Sequence, residues 1–571
     1  MKLPIRKLPA LWRATRLARR WYYARYDAYP DWRQLLATNS AMWDAARASA
    51  QGGPRVLLAS AIGSYAHSVT LESALAAALT FRGAEVHALL CDGTMTACAE
   101  CDASLYPDLG AFAAHGPSRD LCRDCRWPAE EVYRDLGITI HRLGDYLHAE
   151  DRAEARAIAL GIPLAEIESY RFEGMAIGEH AYAGALRFFA SGTLHGEPHG
   201  EAILRRYLES ALLTAFASRR LLRSGAFQSV VVTHGIYVPW GVIAEAAREE
   251  HVHVAAWNVA YRKRCFIFSH DDTYHHTLLT EPVSHWQDRA LTEQQDRDLM
   301  NYLESRRDGL FDWIVFHRPS KQDSGAVMSS LGLDISKPIV GLLTNVSWDA
   351  QLHYPANAFP DMLEWLVRTC EYFARRPDLQ LLIRVHPAEI SGFPPSRQPV
   401  LRELQKRLPA LPPNVFVVPP ESGISSYTLM QQCNAAIIYG TKMGVELTSR
   451  GLPVIVAGEA WIRNKGLTLD ASTAEGYFRI LGRLPFPARL DADQVTRARR
   501  YAHHFFFNRM IQLPFIEPKA GYPVFRLKLE RLEHLQPGQS EGLDTICNGI
   551  LRQTPFVLGH ASESVPEPIA R

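Results

Sequence analysis

No run in this 571-residue chain approaches the ~20 uninterrupted apolar positions of a membrane-spanning helix. Nor does an apolar segment followed by a small-residue cleavage site open it. A cytoplasmic location is expected. An excess of charge of either sign is also missing: 62 Lys and Arg face 61 Asp and Glu, for a net +1. The chain as a whole therefore lacks the positive field that nucleic-acid binding requires, and nucleic acid is not expected as a partner. Acidic residues are absent before Asp27, while Lys2, Arg6, Lys7, Arg13, Arg16, Arg19, Arg20 and Arg25 are interleaved with Leu8, Leu11, Trp12, Trp21 and Tyr22. Two readings stay open for residues 1–25: a basic amphipathic helix in peripheral contact with an anionic membrane, or a solvated helix packed on the body of the protein.

What is present is a 47% hydrophobic composition, enough for more than one core at ~100–200 residues per domain. Val56 to Ala61, a turn at Gly63, an alanine-rich helical pattern over 71–81 and a second apolar run over 86–90 read as strand, turn, helix, strand. Such alternation specifies a parallel sheet, because consecutive parallel strands need a crossover helix. The pattern recurs at 229–257, lapses over 318–337, and restarts at Pro338 to Leu343 with further short apolar runs at 381–385, 415–418, 435–439 and 453–456. The expected fold is α/β, with two doubly wound Rossmann-like domains facing a cleft. The expected divisions are a basic segment over 1–50, a first domain over 51–325 with an insertion at 91–127, a second domain over 326–510, closing helices over 511–554 and a tail over 555–571.

Ligands of doubly wound sheets bind beyond the carboxyl ends of the strands, so the loops there are the candidate sites. In the second half these are Arg384-Val385-His386-Pro387, Ser425-Ser426-Tyr427, Tyr439-Gly440-Thr441-Lys442 and Gly444-Val445-Glu446. A strand-end His can donate to phosphate, Ser hydroxyls can hold the same group, and a Glu can accept from ribose hydroxyls. In the first half they are Gly63-Ser64-Tyr65-Ala66-His67, His234-Gly235-Ile236-Tyr237 and Ser269-His270-Asp271-Asp272. His67 is a candidate for phosphate binding or proton transfer. Asp271, Asp272, Glu72 and Asp349 are candidate general bases, and spacing does not choose among them. Arg384 and Arg463 are candidates to add positive charge, with a surface salt bridge the plainer reading of Arg463.

The order and spacing of these pieces from Leu381 to Thr468 resemble the C-terminal half of the capsule polysaccharide biosynthesis family, which includes bacterial capsule Kdo transferases. The matching pieces are His386-Pro387, Ser425-Ser426-Tyr427-Thr428-Leu429, Thr441-Lys442-Met443-Gly444-Val445-Glu446 and Gly451-Leu452-Pro453-Val454. The His-Pro and Ser-Ser pairs also resemble those of bacterial sialyltransferases. The resemblance implies a GT-B fold and a glycosyltransferase that moves a sugar from a nucleotide donor, CMP-linked as one candidate, to a surface polysaccharide or lipid-linked glycan acceptor. It implies that His386, Pro387, Ser425, Ser426, Thr441, Lys442, Gly444 and Glu446 form the nucleotide site, with Glu446 on the ribose. The first domain then holds the acceptor, with His234, Gly235 and Tyr237 on that side, and no metal is required for transfer. Rival readings are a sugar-nucleotide 2-epimerase, a non-catalytic polysaccharide assembly or export factor, and a polyol-phosphate transferase.

Five of the nine cysteines lie between Cys91 and Cys125, and Cys98-x-x-Cys101 is followed after twenty residues by Cys122-x-x-Cys125. This spacing suits a closed four-thiolate structural zinc site, with an iron–sulfur cluster as second choice for the same ligands. Pro107, Gly110, Gly116 and Pro117 are expected to keep the segment free of regular structure, leaving a metal to order it.

Overall fold

The computed structural model describes residues 28–306, 309, 311–313, 328–392 and 394–559. The basic segment 1–25 and its membrane contact, part of the expected interdomain boundary and most of the tail lie outside these residues. Among the described residues no helix is long and apolar enough to cross a membrane.

Among the described residues thirteen strands build two sheets. The first contains β1 (Arg55–Ala61), β2 (Glu85–Leu90), β3 (Thr139–Arg142), β4 (Ser229–Thr233), β5 (His253–Val259) and β6 (Cys265–His270). The second contains β7 (Ile339–Leu343), β8 (Gln380–Arg384), β9 (Val415–Val418), β10 (Ala435–Ile438), β11 (Val454–Val456) and β12 (Leu469–Asp470), after which β13 (Ile511–Gln512) returns to the first sheet. The first sheet has the order β13-β6-β5-β4-β1-β2-β3 and the second β12-β11-β10-β7-β8-β9. Every pairing from β1 to β5 and throughout the second sheet is parallel, whereas β6 and β13 are antiparallel. In both sheets the chain winds outward from a central strand, β1 or β7, and then resumes on its other side at β4 or β10. That reversal opens a crevice at the carboxyl ends.

The central strands are apolar on both faces because helices cover both. β4, β7 and β8 are buried at every residue, as are all fifteen residues of the helix Ala66–Thr80. The alanines of that helix let it lie close between the sheet and the C-terminal hairpin Ile516–Pro518/Phe525–Leu527. One apolar cluster spans the domains, joining Cys265 and Ile267 of β6 to Val445, Trp461, Tyr501 and Phe505.

Two expectations are corrected. The closing segment is not purely helical: β13, the hairpin and the helix Glu541–Arg552 pack on the first sheet. The cysteine insertion is not irregular either. It holds the helices Leu109–His115 and Arg119–Asp135, with Asp108 and Ser118 as N-caps accepting from the amides of Ala111 and Leu121. Gly116, at φ +68°, turns the chain between them, so the glycine and proline read as breakers mark a junction. Met95, Ala97, Cys101 and Phe112 also join the first-domain core, giving the insertion apolar anchors of its own.

Candidate functional site

The carboxyl ends of the two sheets face one another across a cavity of 1690 Å³. The turn after β1 brings Tyr65 and His67 to it, the turn after β4 brings His234, and the end of β5 brings Asn258. From the second sheet come Asn345, Val346, Ser347 and Asp349 after β7, His386 after β8 and Tyr439 to Lys442 after β10. Hydrogen bonds cross the cleft from Tyr237 Oη to Asp349 Oδ1 (2.9 Å) and from Gly192 N to Gln398 Oε1 (2.9 Å).

A smaller recess of 90 Å³ lies behind the cavity at the second sheet, lined by Thr344, Arg384, His386, Pro387, Ser426, Thr441 and Lys442 among others. His386 is fixed in one tautomer: its Nδ1 accepts from Ala388 N–H at 3.1 Å, which leaves the proton on Nε2. Burial, helped by the charges of Lys442 and Arg384, pushes its pKa down to about 4, so the ring is a neutral donor. Arg384 is 1% exposed. Its terminal nitrogens donate to the carbonyls of Pro419 and Ser422, and its Nε has no hydrogen-bond partner. Burial pushes its pKa down to about 10.

Glu446 does not reach the cavity, contrary to the ribose role expected of it. It is wholly buried, accepting at Oε2 from Tyr427 Oη (2.6 Å) and Arg306 Nε (3.1 Å), with Lys442 Nζ 3.6 Å from Oε1. Burial raises the Glu446 pKa, but Arg306 and Lys442 outweigh it and hold the carboxyl below the usual range. Arg306 also pairs with Asp312 at 2.6 Å, so one buried network ties the end of the first domain to the strand ends of the second. Lys442 Nζ lies 4.6 Å from the Tyr261 ring centroid.

Other expected residues divide. Thr441, Lys442 and His386 line both cavities, whereas Ser426 and Pro387 line the recess alone. Ser425 is turned away: its Oγ caps the helix Ser426–Gln431 by accepting from Tyr427 N. Gly444 serves packing, since a Cβ there would stand 2.7 Å from Ile438 Cδ1. Arg463 is neither in the cleft nor in a surface salt bridge; it is buried and donates to the carbonyls of Gly458 and Ala471.

On the first-domain side His67 borders the cavity, but its Nε2 accepts from Val524 N–H at 3.0 Å and its ring packs on Tyr522 and Phe525. The lone pair that a base would use is taken. Glu72 is sealed between sheet and helix, accepting from Thr233 Oγ1 and Trp257 Nε1 at 2.8 Å each. Burial raises its pKa. Asp271 and Asp272 lie off the cavity because β6 runs antiparallel and ends beside Val254, at the amino end of β5. Asp349 does line the cavity, and His234 stands nearby at φ +65°, followed by Gly235 at φ +72°. The His234 ring packs against Tyr237 and His275, its buried Nδ1 has no hydrogen-bond partner, and burial pushes its pKa down to about 4.

Arg306 escaped the sequence reading because it is the C-cap of the helix Glu293–Ser305, ahead of the lapse at 318–337, and no motif marks it. Tyr427 was visible only as the residue after two serines.

The four cysteines lie on the first-domain side, beyond β1 and β2. Cys98 and Cys101 have their sulfurs 3.8 Å apart, and Cys125 Sγ accepts from Ser64 N and Oγ. As placed, no three His, Cys, Asp or Glu side chains among the described residues are grouped to hold a metal ion.

The family model for capsule polysaccharide biosynthesis protein matches residues 335–485. No curated protein matches. Solved structures similar to this chain include the KpsC beta Kdo 2,4 transferase of Thermosulfurimonas dismutans, at 16% identity over 48% of this chain and 80% of that one, TM-score 0.32. The beta Kdo 2,7 transferase of the same organism has 14% identity over 56% and 88%, TM-score 0.30. A UDP-GlcNAc 2-epimerase from Neisseria meningitidis has 10% identity over 78% and 98%, TM-score 0.28. Likeness at this level assigns no activity. What this chain shares with capsule polysaccharide biosynthesis proteins is therefore residues 335–485, the stretch of the second domain that runs from β7 to beyond β12.

Proposed function

We propose that this chain is a glycosyltransferase that moves a sugar from a nucleotide donor, with CMP-linked sugars the first candidates, to a surface polysaccharide or lipid-linked glycan. Arg384 carries the reading. A guanidinium 1% exposed, with Nε unpartnered and no ion pair among the described residues, lines the same recess as the His386 donor and Lys442. Two carbonyls take its terminal nitrogens, but a buried charge with no ion pair is costly, and an anionic ligand offsets that cost. The family match over the strands that carry these residues supports the same reading.

In this reading the donor phosphate occupies the recess and takes hydrogen bonds from His386 Nε2, Ser426 and Thr441. The nucleoside and sugar extend into the larger cavity, and the acceptor lies toward His234 and Tyr237. The acceptor hydroxyl gives its proton to Asp349 as its oxygen bonds to the anomeric carbon. The bond from that carbon to the phosphate oxygen breaks, and its electron pair stays on the nucleotide, where Arg384 and Lys442 offset the charge. Side-chain cations thus do this work without a metal.

Calorimetric titration with CMP, UDP, GDP and CDP tests the donor site. Saturable binding of one nucleotide, weakened at least about tenfold by Arg384→Met and by His386→Ala, is the expected result, each tenfold being ~1.4 kcal/mol. No binding by any of the four would remove the transferase and leave an assembly factor. Conversion of a donor incubated alone to its 2-epimer would replace transfer with epimerisation.

A further inference from the structure

Beyond the cleft, the cysteine insertion combines buried sulfurs with hydrogen-bond donors aimed at them. Gly93 N donates to Cys91 Sγ at 3.3 Å, and Ser64 N and Oγ to Cys125 Sγ at 3.4 and 3.1 Å. Donors converging on sulfur stabilise thiolate, the form that binds metal. The arrangement therefore suits an ion that would hold the sulfurs deprotonated.

The first pair already has the required spacing. Four thiolates at about 2.3 Å around a tetrahedral centre stand about 3.8 Å apart, and Cys98 and Cys101 are 3.8 Å apart. The second pair lies three residues apart at the start of the helix Arg119–Asp135, so both side chains share one face. Cys122 lies against Gly93: a Cβ on that glycine would be 3.3 Å from Cys122 Cβ.

The backbone around the first pair is anchored independently of any metal. Tyr207 Oη donates to Cys98 O, Arg187 to Ala99 O, and Ala99 N to Val238 O. These last two contacts lead to the loop after β4 that carries Tyr237, and the Ser64 contacts lead to the loop after β1.

We propose that Cys98, Cys101, Cys122 and Cys125 bind one structural zinc ion beneath the two first-domain loops that face the cleft. Since the side chains as placed do not group three ligands, binding turns Cys122 and Cys125 toward the fixed first pair. Each bound thiol releases its proton to solvent as its sulfur joins the ion, and no electron is transferred. With four protein ligands the ion has no open position for substrate.

Metal analysis of the full chain, purified under reducing conditions without chelator, tests this. About one zinc per chain is expected. Cys98→Ser and Cys122→Ser should lose it, while Cys91→Ser retains it. Should a variant fail to fold, the wild-type protein supplies the second measurement: an organomercurial added stepwise should release its zinc as about four thiols are modified, and cobalt exchanged for zinc should show tetrahedral thiolate bands. Wild-type protein without zinc after incubation with the ion, iron with visible cluster absorbance, or zinc retained in both Cys98→Ser and Cys122→Ser would each overturn the assignment. None of these readouts depends on transferase activity.

Discussion

Tyr237 and Asp349 meet across the cleft, the phenol donating to Oδ1 at 2.9 Å while accepting from Ala350 N at the same distance. The carboxylate acts across the cleft on residues of the first domain: it opposes the burial that lowers the His234 pKa, and it adds to the burial that raises those of Tyr65 and Tyr261. As the proposed base, Asp349 should be needed for turnover and not for donor affinity. Asp349→Asn is expected to lower kcat by about 10²–10⁴ with nucleotide Kd within about twofold of wild type, checked by steady-state kinetics beside calorimetry. A large change in Kd with kcat preserved would assign Asp349 to donor binding.

Glu446 gives a contrasting prediction. Breaking a buried ion pair from one side costs about 3–5 kcal/mol, and Glu446→Gln leaves Arg306 and Lys442 with less opposing charge in a sealed network. Denaturant unfolding should show that loss. A ribose-binding glutamate would instead lower nucleotide affinity at unchanged stability.

Gly192 approaches the second domain so closely that a Cβ would lie 2.9 Å from both Cβ and Oγ of Ser347. Gly192→Ala should lower kcat/KM by forcing this interdomain contact apart, and adding Ser347→Gly should restore part of it. Equal losses in the single and double variants would show that this contact does not limit activity.

Three buried histidines set a pH dependence. The pKa values of His67, His234 and His386 are each lowered by burial from 6.5 to about 4. Between those values the unfolded chain binds protons that the folded one refuses, so stability falls as pH drops from 6.5 toward 4 and gains nothing from these groups above 6.5. The thermal midpoint should follow that course. His67→Gln, whose amide oxygen can accept from Val524 N–H, should make the decline shallower.

Strand positions and the strand-end loops were legible because buried parallel strands read as short apolar runs between turns. His386, Thr441 and Lys442 follow from that rule together with the family spacing. Glu446 misled because a carboxylate after a strand-end loop has the same sequence whether it points into the cleft or back to Arg306, a partner 140 residues away. Asp271 and Asp272 misled because the reversal of β6 leaves no mark in its apolar pattern. Asp108 and Ser118 show the local form of the problem: each caps a helix, yet beside Gly110, Gly116 and Pro117 they read as loop residues.

The return of the chain to β13 has a mechanical consequence. The polypeptide passes from the first sheet to the second between Ser305 and Ile339 and comes back between His503 and Ile511, so the halves are joined by two covalent straps and a shared apolar seam. The two crossings act like a double-stitched spine: cutting either one leaves the covers bound by the other.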